Sequence, residues 1–65
     1  MTDLKNQILK FLKSNANGVT IDSILDYLDY INKVRYEKQN LDIILKELII
    51  EKKLYLKDDL WFFYV

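Results

Sequence analysis

The sequence contains no cysteine and no histidine. Without cysteine there is no disulfide framework and no thiolate nucleophile, and without histidine as well the usual zinc ligand sets cannot be assembled. Proline is absent too, and glycine occurs once in 65 residues, a composition that opposes disorder. A single glycine leaves no glycine-rich phosphate loop. Hydroxyl catalysis fails on the same inventory: apart from the tyrosines, the candidates are Thr2, Ser14, Thr20 and Ser23, with no histidine to serve as their base. We therefore expect no enzyme, no metal site, no cofactor and no small-molecule substrate.

Excess charge of one sign is also missing. Ten basic and ten acidic residues cancel, and the isoelectric point is near 6.1, so nucleic acid would have to be held by a local patch. There is no long hydrophobic run at the amino terminus, where Asp3, Lys5, Lys10 and Lys13 interrupt the apolar residues. That pattern excludes a signal-peptide core or a membrane span there, and we read the chain as soluble and cytoplasmic.

What the chain has is apolar mass. Half of its residues are hydrophobic, with five Tyr, three Phe and one Trp. A chain of this length sits near the lower limit for one unstapled core, so it needs them. We treat residues 1–65 as a single domain.

Leu4, Ile8, Phe11 and Leu12 follow the spacing of one buried helical face, predicting a first helix over about 3–14 with Thr2 or Asp3 as its cap. Neither Lys5 nor Asn6 supplies the Glu or Gln of a full capping box. Asn15, Asn17 and Gly18 end that helix. Val19, Thr20 and Ile21 are a β-branched run able to add a short third strand, after which Thr20 caps a second helix. Its inner stripe is Ile21, Ile24, Leu25, Leu28 and Ile31, with Asp22, Asp26 and Asp29 facing water and Asn32 closing it. The segment 33–40, KVRYEKQN, carries a local basic excess in Lys33, Arg35 and Lys38. A third helix begins either at Tyr36/Glu37 or at Asn40, buries Leu41, Ile44, Leu45, Leu48 and Ile49, and ends near Lys52. Leu54–Lys57 and Leu60–Val65 then form a hairpin around Asp58 and Asp59, residues that tolerate positive φ. Its inner side is assigned Leu54, Leu56, Trp61, Phe63 and Val65, and its outer side Tyr55, Leu60, Phe62 and Tyr64. The fold class is α+β, mainly α: a three-helix bundle with a small antiparallel hairpin.

Two phrases, ILKFLKSNANGVTIDSILDYL and LDIILKELIIEKKLYLKDDLWFFYV, resemble the opening and the third-helix-plus-wing of the winged helix-turn-helix family. The resemblance covers nearly the whole chain as a pattern of apolar spacing. Lys52 and Lys53 depart from it, standing where the family often has glycine, as do the long connection before the third helix and the short wing. In that family the third helix commonly enters the DNA major groove while the wing touches the backbone or minor groove.

That resemblance implies a small DNA-binding regulator on double-stranded DNA, and because one copy offers few contacts we expect it to act as a dimer. Its contacts would come from Lys33, Arg35, Lys38, Gln39 and Lys46. The alternative is a winged helix that recognises protein or a second copy of itself. It rests on neutral charge, an acidic wing tip, and Ile43 and Ile50 on the outward pole of the third helix beside Gln39, Lys46 and Glu47. Tyr55, Phe62 and Tyr64 extend this candidate interface to the wing, whose final strand offers a sheet edge for a second copy. The resemblance favours DNA; the residues taken alone lean to protein.

Overall fold

A computed structural model of the chain describes residues 3–64. Helix α1 spans Leu4–Lys13, α2 Ile21–Asn32 and α3 Lys38–Ile50, followed by strands β1, Leu54–Lys57, and β2, Leu60–Phe63. Three helices and one antiparallel hairpin make an α+β, mainly α domain, a layout compatible with a winged helix. No helix among the described residues is long and apolar enough to cross a membrane.

Side chains set the helix starts. Asp3 accepts a hydrogen bond from the Asn6 backbone N–H at 3.1 Å, and the Asn6 side-chain amide returns to the other carboxylate oxygen at 2.6 Å. Thr20 accepts from the Ser23 N–H at 3.1 Å, as an N-cap does. Thr2, the other cap candidate for α1, and Val65, assigned to the core, lie outside the described residues. α3 begins at Lys38, between the two predicted starts and one residue past the earlier, with Glu37 as the N-cap residue and no side-chain capping bond.

The ends of α2 and α3 are built from lysines where glycine is usual. Lys33 ends α2 at φ 55°, its N–H bonded to the Asp29 carbonyl at 2.9 Å. After α3, the Lys52 N–H bonds to the Ile49 carbonyl at 2.9 Å and the Lys53 N–H to that of Leu48 at 3.0 Å, with Lys52 at φ 61°. Those two bonds are a Schellman motif. A side chain in this left-handed conformation costs roughly 1 kcal/mol that glycine avoids, offset in part by the greater freedom glycine has when unfolded. Lys52→Gly should therefore raise stability by about 0.5 kcal/mol, read as a higher urea midpoint with an unchanged slope.

The hairpin turns through Asp58 and Asp59 at φ 52° and 64°. Positive φ at both central residues gives the tight turn whose twist suits two adjacent strands. The register pairs Leu54 with Phe63, Tyr55 with Phe62, Leu56 with Trp61 and Lys57 with Leu60. The expected third strand over 19–21 contracts to one residue. Val19 and Trp61 exchange backbone bonds of 3.0 and 2.7 Å, while Thr20 is already the cap of α2 and Ile21 its first residue. That rung covers β2 at its centre, so the outer edge of β2 is partly closed and the longer open edge belongs to β1.

The core joins every element: Ile8 and Leu12 of α1, the bridge residue Val19, Ile24 and Leu28 of α2, Leu41, Leu45 and Leu48 of α3, and Leu54 and Trp61 of the hairpin. Three residues assigned to the interior are exposed: Ile31, Ile49 and Leu56. Ile31 keeps the stripe but lies in the last turn of α2, past the cover of its neighbours. Ile49 stands roughly 80° from the centre of the Leu41–Leu45–Leu48 stripe at 3.6 residues per turn. Leu56 is two residues from the hairpin turn, beyond the helices. Phe63, also assigned inside, is half-buried. Asp29, expected in water, instead accepts the Tyr36 N–H at 2.9 Å and pins the connection before α3 back onto α2.

Candidate functional site

The exposed face of α3 follows from its buried stripe. Leu41, Leu45 and Leu48 fix one side of the helix, which leaves Gln39, Ile43, Lys46, Glu47 and Ile50 turned to solvent. Ile43 is 59 % exposed and Ile50 80 %, two turns apart on one line. β-Branched side chains standing this far out lose nothing to the core if they are replaced and gain nothing from water, so they are available for burial against a partner.

Two of the four cations expected to meet DNA are engaged with acids of the same chain. Lys38 pairs with Asp22 at 3.1 Å and Lys46 with Asp42 at 2.9 Å, while the Gln39 amide donates to Glu37 at 2.9 Å. Further along the helix, Lys5 reaches Glu51 at 2.7 Å and Glu47 at 3.5 Å. The hydrogen bond to Glu51 raises the Lys5 ammonium above its ordinary 10.5 and, from the other side, holds the Glu51 carboxyl below its ordinary 4.5. The α3 face is thus charge-balanced internally. Lys33 and Arg35 differ: both are exposed and neither joins an ion pair among the described residues.

The wing carries a second apolar surface. Tyr55 stacks on Phe62 with ring centroids 5.1 Å apart and meets Tyr64 edge-on at 5.9 Å. Tyr55 and Tyr64 are exposed, but Phe62, expected to stand outside, is half-buried because its ring packs over Gly18. Comparison of the chain with family models, curated proteins and solved structures returns no match. The surfaces must therefore be read from their own chemistry.

Two features escaped the sequence. Tyr30 and Val34, around the end of α2, are 81 % and 55 % exposed. More consequential is a hollow of about 440 Å³ between α1 and the root of the wing, whose lining includes Lys10, Lys13, Lys52 and Lys53. These lysines come from two distant segments, so no linear spacing announces them.

Proposed function

We propose that this chain is a non-catalytic winged-helix module that recognises protein through the outward face of α3, a second copy of the chain being the simplest occupant. One observation carries the reading: Ile43 and Ile50 are exposed together while Lys38 and Lys46, the cations beside them, are already neutralised by Asp22 and Asp42. A face of that kind gains more from burying apolar surface than from meeting phosphate. Winged-helix membership itself rests on element order and the hairpin.

The second reading, a DNA-binding regulator, is supported by the resemblance and by Lys33 and Arg35, exposed and unpaired ahead of α3 among the described residues. Sedimentation of the purified protein over a range of concentrations, read together with a duplex titration at two salt concentrations, separates the two. Under the first reading the wild type self-associates, and Ile43→Asp with Ile50→Asp gives a folded monomer. A wild type that stays monomeric, together with duplex binding that falls steeply with salt and is lost in Arg35→Glu, would instead establish the regulator.

A further inference from the structure

Four of the ten cations of this neutral chain gather at one place, while Lys33, Arg35 and Lys57, which also join no ion pair among the described residues, lie elsewhere. Lys5, Lys38 and Lys46 each lie within 3.1 Å of a carboxylate. By contrast, Lys10, Lys13 and Lys52 join no ion pair among the described residues, and Lys53 has only a 3.8 Å contact with Glu51, whose other oxygen is held by Lys5 at 2.7 Å. These four less-engaged lysines surround one hollow of about 440 Å³, completed by Asn6, Leu9, Phe63 and Tyr64. No acidic side chain lines it. Helix dipoles account for a lysine at the end of α1 or after α3. They do not account for both sets converging on one hollow that contains aromatic rings.

The aromatic component is equally specific in its placement. Lys13 Nζ lies 5.1 Å from the centroid of the Phe63 ring. Those two residues also line a second hollow of about 270 Å³, which continues to Ala16, Tyr55 and Phe62. Along this seam Tyr64 and Tyr55 are exposed, their rings perpendicular. A track that combines cations with exposed tyrosines, one face of Tyr55 being taken by Phe62, suits a ligand alternating negative charge with flat apolar groups.

We propose that the seam between α1 and the wing binds a short stretch of single-stranded nucleic acid. Phosphates meet Lys10, Lys13, Lys52 and Lys53, and unpaired bases stack on Tyr64 and Tyr55. Lysine suits this role, since a flexible point charge follows an irregular backbone and asks for no fixed phosphate geometry. A duplex keeps its bases stacked on one another and leaves the tyrosines unused. An acidic peptide would satisfy the lysines alone.

Fluorescence anisotropy with a labelled octathymidylate tests this, with an eight-base-pair duplex and an octaglutamate peptide as competitors. Three to four neutralised phosphates predict a loss of affinity of about twentyfold to fiftyfold between 50 and 200 mM salt. Lys10→Glu with Lys13→Glu should weaken binding by more than about tenfold, and Tyr64→Ala by about tenfold through lost stacking. All three positions are exposed, and circular dichroism is to be run as the check that the variants fold; Lys10→Gln with Lys13→Gln repeats the test without charge reversal. Absence of binding at 50 mM salt would overturn the proposal, as would indifference to the lysine substitutions. Equal affinity for the duplex or octaglutamate would overturn it too, by showing a surface that responds to charge alone.

Discussion

Gly18→Ala should destabilise the domain by about 3 kcal/mol, enough to remove most of the stability that a core of this size supplies. Two costs add. Gly18 sits at φ +91°, in a region where an L side chain costs roughly 1 to 2 kcal/mol. A Cβ there would also stand 2.8 Å from Cε1 and Cζ of Phe62 and 3.1 Å from Cβ of Leu60, an overpacking of the kind that costs about 1 to 3 kcal/mol. The ring cannot withdraw without cost because its other neighbour is Tyr55, with which it is stacked. Nor can the backbone move easily, since the next residue, Val19, is tied to Trp61 by two hydrogen bonds. Urea unfolding followed by circular dichroism measures the effect. Combining the change with Phe62→Ala should recover part of the loss, because the clash disappears with the ring. Additive losses would place the whole cost in the backbone, and an unchanged midpoint would mean that Gly18 does not lie under the wing at all.

That contact illustrates which parts of the fold can be read in one dimension. The helices are legible because Ile8 and Leu12, Ile24 and Leu28, and Leu41, Leu45 and Leu48 repeat within single elements. Hairpin register is legible for a similar reason: two aspartates fix a two-residue turn, and every pair follows from it. What periodicity cannot supply is the extent of cover. Ile31 has the right phase and is exposed, because a helical wheel says which way a residue points and not whether anything lies opposite. Long-range polar bonds are hidden likewise. The paired amides of Gln7 and Asn32, at 2.8 and 3.2 Å, join α1 to α2 across 25 residues, and Asp29 anchors the connection before α3.

The candidate surfaces divide along the same line. Ile43 and Ile50 belong to one helix, so their common face could be inferred and is observed. Lys46, expected above as a DNA contact, is instead paired with Asp42 at i, i+4, a spacing that places opposite charges side by side. Lys38 and Asp22 come from different helices, and only the fold reveals that this cation is engaged. The lysine hollow is the extreme case. Each of its lysines has an ordinary local explanation at a helix end, and their convergence exists only once the hairpin has folded back against α1.

Leu45→Ala should cost about 3 kcal/mol, whereas Ile43→Ala, two residues away, should change stability by less than about 0.5 kcal/mol. Leu45 is fully buried at the centre of α3, in the cluster that includes Ile8, Ile24 and Trp61, so truncation opens a cavity among side chains held by three other elements. Ile43 is 59 % exposed and gives up little on truncation. The difference between the two variants therefore measures the rotation of α3 about its own axis. A difference near 2 kcal/mol or more fixes Leu45 inside and Ile43 outside, as the proposed use of the α3 face for protein recognition requires. Comparable losses at both positions would mean that Ile43 is buried, and the apolar stripe proposed for protein recognition would then be part of the core.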